Sequence, residues 1–486
     1  MAVAAWGLLL FMLLLTALLG GWVLLTVVLL GSGPGADMEE PVLAILLILL
    51  ALTCGLAWLA ARYVSSARTV VWTLRTILAL LFVSATTWAL SSPDRALFLA
   101  RQMAWAESDV WDYQKFPERV VSNGLPAFRF QENLRPDLFQ TMIVEYTSVG
   151  EPKQANFEDF LRSSETTSFI VIKDDAILYE GYFNGYARDS IVTSFSMAKS
   201  FTSALVGIAI DEGYIGSVDD PMVYYLPELR GKGLDSVAIR HLLLMSSGTR
   251  YVADDEISGV AELWPFSDDT LSYYYPNLRS QALSVVPDGK QPGTEFNYNN
   301  YNLLLLGMIL ERATYRPVAE YLQEKLWKPL GMEYPASWSL DSEDSGFEKM
   351  ESGINGRAID FTKFGRVFLN NGNWDGRQII SEKWVRESTS PDPNDKRYWR
   401  TAPGWKESDG YYKYLWWGKL KPDGGYDFMA QGHLGQMIYV SPEANAIVVR
   451  HGISDGGVDR WDDVLASVIA RLGRARINFD QKATGR

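Results

Sequence analysis

The chain has 486 residues, 48% of them hydrophobic and 21% charged, enough for a large buried core and more than one structural unit. Its formal net charge of −13 argues against nucleic acid as the main partner. The single cysteine, Cys54, excludes an intrachain disulfide and any cysteine-based metal site.

Three long apolar runs open the sequence. Ala4 to Leu30 holds no charge and exceeds the roughly 20 residues needed to span a bilayer. Pro41 to Ala61 is equally clean, and Val70 to Leu90 is broken only by Arg75, near its start, where a long side chain can snorkel to the interface. The first run lacks a basic leader and is too long for the core of a signal peptide. We therefore expect a membrane domain over residues 1–91, with three transmembrane helices at about 4–30, 41–61 and 70–90. The loop Gly31 to Glu40 carries no Lys or Arg, whereas the next loop holds Arg62 and Arg68. That bias places the second loop in the cytoplasm and the rest of the chain on the outer face of the plasma membrane. Arg95 and Arg101, just past the third run, pull the other way. Asp37, Glu39 and Glu40 balance Arg62, Arg68 and Arg75, so the acidic excess belongs to residues 92–486.

Residues 92–164 are mixed, with no sustained period, and read as a juxtamembrane connector carrying a short helix near Phe157 to Arg162. Ser168 to Tyr182 is two β-rich runs around Lys173-Asp174-Asp175, a hairpin signal. Helical patterns dominate from Ser196 to about Ser390. Strand signals return at Tyr426 to Ala430, Gln436 to Val440 and Ala446 to Arg450, and an amphipathic helix is expected over Asp459 to Leu472. Strands at both ends of a helical middle imply one sheet built from the two termini of the domain, with a helical lobe inserted. Residues 476–486 are a polar tail.

The chemistry centres on Ser194 to Gly213. Phe201 to Ile210 is apolar or small almost all the way round, as in a helix buried within a large domain. Ser196 and Lys199 stand at its front, three residues apart and so on one face. A helix start and burial both favour the neutral amine, which could take the serine's proton and make it a nucleophile. Alone, the pair also fits a helix cap followed by a surface lysine. Pro292 to Asn300 then precedes an apolar helix, Leu303 to Leu310, and offers Tyr298 and Asn300 on one loop; a turn with a cap is the plainer account. Gly432-His433-Leu434-Gly435-Gln436 lies on the edge of the late strands. Gly435 there allows close approach of a substrate to the backbone, and the N–H of Gln436 could join that of Ser196 in an oxyanion hole. Gly452-Ile453-Ser454-Asp455-Gly456 imitates a nucleophile elbow, but that chemistry requires a later histidine. The three histidines, His241, His433 and His451, all precede Ser454. His241, at an apparent helix start, reads as structural.

Taken in order, Ser-x-x-Lys, Tyr-x-Asn and His-x-Gly resemble the serine β-lactamase-related hydrolases, the superfamily of class C β-lactamases, penicillin-binding proteins and esterases. The stretches Ser194 to Gly207, Ser217 to Leu229, Ile239 to Gly248 and Gly432 to Val440 look most like its 6-aminohexanoate-dimer hydrolase branch. The resemblance covers roughly residues 165–470 and implies an α/β hydrolase domain at 165–475, an antiparallel sheet flanked by helices plus a helical lobe. It implies Ser196 as the acylated nucleophile, Lys199 and Tyr298 sharing the proton transfers, and Asn300 orienting substrate and lysine. His433 and Gly435 would replace the Lys-Thr-Gly triplet of β-lactamases. Losing that lysine removes a fixed charge for a penicillin or peptide carboxylate, which favours small esters or amides. No convincing class A deacylating glutamate is visible. Neither motifs nor resemblance call for a cofactor or metal; the partners implied are a small ester, amide or peptide and, through the apolar runs, a lipid bilayer. A β-lactamase or D-amino-acid peptidase acting on cell-wall-type substrates is the nearest alternative. A silent, membrane-tethered binding or sensor domain is a further one, although it would have no chemical need for Ser196, Lys199 and Tyr298 together.

Overall fold

The computed structural model describes residues 92–105, 107–253, 267–392, 394 and 409–474. The three apolar runs and the polar tail lie outside these residues, and among the described residues no helix is long and apolar enough to cross a membrane.

The chain divides into two compact units. In the smaller, helices Pro93–Trp105 and Asp268–Tyr274 pack together. The buried Arg101 donates from Nη1 to the Tyr274 carbonyl at 3.1 Å. The Tyr273 hydroxyl donates to Asp112 at 2.6 Å, and Lys115 donates to the same carboxylate at 2.8 Å. Burial raises the Asp112 pKa all the same.

The larger unit begins at Phe116, well inside the segment expected to be a connector. β1 (Glu118–Val121), β2 (Gln131–Glu132), a hairpin over 143–156 and a helix at Phe157–Ser163 all belong to it. Local periodicity misses β1 because its register is set by a distant strand, Glu118 facing Ser339 and Val121 facing Ala336.

The hairpin signal at 168–182 forms β3 (Thr166–Lys173) and β4 (Ala176–Tyr182), turned by Asp174 and Asp175, both at positive φ. β5 (Val192–Thr193), β6 (Ala336–Ser339) and β7 (Ile354–Gly356) join β1 in a four-stranded sheet of order β1-β6-β7-β5. The late strands are β8 (Gly410–Lys413), β9 (Trp416–Leu420), β10 (Tyr426–Gly432), β11 (Gln436–Ser441) and β12 (Ala446–Gly452). They meet the hairpin in one eight-stranded sheet of order β8-β9-β10-β11-β12-β3-β4-β2, antiparallel except for the β4–β2 edge. The two ends of the domain thus join at β12 and β3, with Val448 facing Val171 and Val449 facing Ile170.

β3 is buried from Thr166 to Ile172 and β12 along its whole length, as in strands covered on both faces. The expected buried helix is α1 (Ala198–Asp211), which packs on α2 (Asn300–Thr314). α3 (Ala358–Leu369) lies on β11, β12 and β3; a Cβ at Gly365 would stand 2.8 Å from Ile447, so glycine sets that approach. Phe201 of α1 stacks on Phe364 of α3 with ring centroids 3.6 Å apart. α4 (Trp461–Arg474) closes the chain against β11.

Candidate active site

The small sheet leads into Ser196, the candidate nucleophile. β5 pairs with β7, Thr193 facing Asn355, and the chain then tightens into a 3₁₀ turn over Phe195–Met197. Ser196 therefore sits in this turn, one step ahead of α1, and Lys199 lies in the first turn of α1 itself. Phe195, just before the serine, is held at φ +44°, a strained conformation for an aromatic residue. Lys199 is 2% exposed; its Nζ donates to Ser196 Oγ at 2.8 Å and to the Glu351 carbonyl at 2.9 Å.

The turn before β7 braces this segment. The N–H of Ser194 donates to the Ile354 carbonyl at 2.8 Å, and Ser194 Oγ donates to the Ser352 carbonyl at 2.9 Å. With the Glu351 carbonyl on Lys199, two acceptors of this turn and the first carbonyl of β7 hold both ends of the Ser194–Lys199 segment. Glu351 is itself fixed: its carboxylate accepts from Lys349 Nζ at 3.0 Å and from Ser352 Oγ at 2.8 Å. Sequence reasoning missed this turn, because an accepting carbonyl belongs to every residue type and leaves no mark in the letters.

Tyr298 comes from the loop before α2. That loop is tied back by Gly293 N–H to Ser246 and Asn297 N–H to Met245, both at 2.7 Å. Asn299, buried, caps α2 by accepting from Tyr301 N–H at 2.8 Å and donates to Thr249 Oγ1 at 2.9 Å. Tyr298 is thereby presented to the site, with Lys199 Nζ 5.0 Å from its ring centroid. Asn300 is the first residue of α2. Behind Tyr298 stand Trp417 (5.7 Å between ring centroids) and Tyr412 (6.2 Å). Burial holds the Tyr412 phenol neutral, its pKa well above the usual value.

The third side is the turn joining β10 to β11. His433 is exposed, and its ring meets Phe195 edge-on at 5.5 Å. Leu434 and Gly435 are both left-handed, at φ +60° and +73°. At Gly432 a Cβ would lie 2.4 Å from the Ser194 carbonyl, so a glycine is needed where the turn meets the nucleophile segment. The Gln436 N–H closes the turn on the His433 carbonyl. The Gln436 side chain bridges to Gly452, donating from Nε2 to its carbonyl at 2.8 Å and accepting its N–H at 3.1 Å.

Ser454 lies apart, its hydroxyl donating to the Glu165 carboxylate at 2.6 Å. His241 accepts the Ala238 N–H at 3.1 Å as a local cap, and burial lowers its pKa. Among the described residues no group of three or more His, Cys, Asp or Glu is arranged to hold a metal ion.

An antiparallel sheet with a helical lobe, a buried lysine on a serine and a facing Tyr-x-Asn loop define a serine hydrolase of the β-lactamase and transpeptidase type. The sequence profile of the Beta-lactamase family matches residues 154–460, and the chain belongs to that family. It is 25% identical over 376 residues to the 6-aminohexanoate-dimer hydrolase of Paenarthrobacter ureafaciens, covering 74% of this chain and 88% of that protein. A solved structure from Bacillus anthracis, provisionally named as a 6-aminohexanoate-dimer hydrolase, superposes with a TM-score of 0.62 at 21% identity, over 75% of this chain and 94% of the other. A provisionally named β-lactamase from Bacteroides dorei gives 0.53 at 20% identity, over 64% and 96%. Both likenesses bear on the fold.

Proposed function

We propose that this chain is a membrane-anchored hydrolase of small, uncharged esters or amides that works through an acyl-enzyme on Ser196. The observation that carries the reading is the 2.8 Å contact between Lys199 Nζ and Ser196 Oγ, made by a lysine shut away from water. With the amine neutral and its lone pair turned to the hydroxyl, Lys199 takes the serine proton as Oγ bonds to the substrate carbonyl carbon. The carbonyl electron pair moves onto oxygen, where the N–H groups of Ser196 and Gln436 receive it. On collapse the carbon–leaving-group bond breaks, and the proton reaches the departing atom through Lys199 and Tyr298. Water then repeats the sequence on the acyl ester, releasing the acid and restoring Ser196. Asn300 orients substrate and lysine, and Gly435 lets the substrate lie against β11. An exposed His433 supplies no permanent charge for a carboxylate.

Intact-mass analysis with a fluorophosphonate or a slow ester tests this. One adduct is expected on the wild type and none on Ser196→Ala. Labelling that persists in Ser196→Ala, on Ser454 for instance, overturns the assignment. The three apolar runs support an anchored chain with its hydrolase unit outside the cytoplasm. A reporter active only outside the cytoplasm is expected to be on when fused after Ala104 and off at Ser66; the reverse pattern refutes that orientation.

A further inference from the structure

Arg450 follows the apolar run Ala446–Val449 in β12, fully buried, and the proton transfers above use none of its atoms. It makes no ion pair among the described residues; Asp455 and Glu165 act on it only as more distant charges. Its five N–H groups go to neutral acceptors instead. Nε donates to Thr166 Oγ1 at 3.2 Å, and Nη2 donates to the Ser164 and Ser454 carbonyls, both at 2.9 Å. Nη1 donates to the Leu434 carbonyl at 2.7 Å and to the Gly435 carbonyl at 3.0 Å. The Trp461 ring covers the guanidinium at 4.1 Å. Burial lowers its pKa to about 9, which leaves it charged at neutral pH. A desolvated cation without a counter-ion is costly, so what it holds in place matters.

What Nη1 holds is the site's third side. Leu434 is left-handed, a strained state for a branched side chain, and it is followed by left-handed Gly435. Both carbonyls of this pair end on the same nitrogen. A Cβ at Gly435 would lie 2.5 Å from Nη1, so this position must be glycine for the grip to form. The Gly435 carbonyl also shares one planar amide with the Gln436 N–H. A cation bonded to that oxygen draws electron density from nitrogen and makes the N–H a stronger donor.

We propose that Arg450 is a positioning residue for oxyanion binding: by gripping the Leu434 and Gly435 carbonyls it fixes the turn and strengthens the Gln436 N–H. This rests on the reading of Ser196 as nucleophile and Gln436 as oxyanion donor. At rest that N–H closes on the His433 carbonyl, and the substrate oxyanion shares or replaces that bond.

The test uses the full-length protein in detergent, acylated by a slow ester carrying a ¹³C carbonyl and read by isotope-edited infrared spectroscopy. A strong oxyanion hole lowers the acyl carbonyl stretch relative to the same ester in water. Arg450→Lys keeps a cation but cannot span both carbonyls as the fork does. Its stretch is expected to move back toward the free-ester value, with acylation slowed about tenfold or more and KM within about twofold. Thr166→Val removes the acceptor of Nε, together with a 3.1 Å bond to Ser164 Oγ, leaves both bonds of Nη1 in place, and is expected to move the stretch the same way by less; it carries the test if Arg450→Lys does not fold. A purely structural role would lower the melting temperature and leave the stretch in place. An unchanged stretch in Arg450→Lys, or in Thr166→Val where that variant alone folds, overturns the inference. Absence of any acyl-enzyme in the wild type instead removes the reading of Ser196, and this inference with it.

Discussion

The Ser194–Lys199 segment and the His433–Gly435 turn touch each other across the site, yet they are built in opposite ways. In the first, Ser194, Met197 and Lys199 are 0%, 0% and 2% exposed, and its hydrogen bonds run to the backbone of the Glu351–Ile354 turn. In the second, His433 is exposed, and the backbone that follows it, at Leu434 and Gly435, is gripped by Arg450. In the buried segment the side chains of Ser194 and Lys199 themselves make the bonds that hold it. At the turn, the side chain of His433 can change while Gly432, Gly435 and Arg450 keep the backbone in place. On the function proposed above, the division would separate reactivity, held by the core, from substrate choice, held by an exposed side chain.

The comparison breaks most sharply at the lysine. Lys199→Ala is expected to cut kcat/KM by roughly two to four orders of magnitude, a typical general-base contribution, with the circular dichroism spectrum unchanged. Near-wild-type turnover in that variant would refute the proton-transfer scheme. In the wild type, activity should rise with pH as Lys199 loses its proton.

A second, smaller effect separates the buried histidine from the exposed one. His451 sits in β12 with burial and the neighbouring Arg450 pushing its pKa down to about 3. The unfolded chain binds that proton below about pH 6.5, and the folded chain does not until about pH 3. Unfolding therefore takes up a proton in this window, so stability falls on acidification by up to about 1.4 kcal/mol per pH unit. Denaturant titrations at pH 7 and pH 5 measure the slope, and His451→Gln should flatten it. An equal slope in that variant means another group is responsible.

Specificity sharpens the other half of the contrast. Small neutral esters are expected to exceed a cephalosporin in kcat/KM by at least about tenfold, or ~1.4 kcal/mol, and His433→Lys should narrow that gap without altering the melting temperature. A wild type that turns over the cephalosporin faster than every neutral ester would put a β-lactamase or D-peptidase in place of the esterase reading. The smallest effect is expected at Ser194→Ala, which removes the hydroxyl bonded to the Ser352 carbonyl and should cost about 1 kcal/mol in a urea unfolding series. A loss below experimental error would show that the brace does not depend on this bond.

How much of this was legible in the sequence depended on the range of the signal. α1, the β3–β4 hairpin and β10 to β12 follow from local period and turn chemistry, and the Ser-x-x-Lys spacing places its two side chains within a hydrogen bond. β1 was not legible because its charged, half-exposed residues become a strand only through a remote partner, and the local hairpin over 143–156 was hidden because its second strand is polar and mostly exposed, with no alternation to read. β8 and β9 were hidden in an aromatic stretch whose packing on Tyr298 is tertiary. Glu351 acts on Lys199 through its carbonyl, which the identity of its side chain does not reveal. Arg450 did leave a trace, as a lone arginine in an apolar strand run, a cue to ask which acceptors surround it.

The seam between β12 and β3 sets a timetable for making the protein. Thr166 and Arg450, which touch there, are 284 residues apart in the chain. At ribosomal rates of about 5–20 residues per second, β3 waits between about 15 and 55 seconds for the strand that covers its edge. Throughout that interval a β-branched, nearly uncharged edge is available to any neighbour. Folding of this unit is therefore completed only after β12 has been made, and the yield of protein should depend on how well that one waiting strand is shielded.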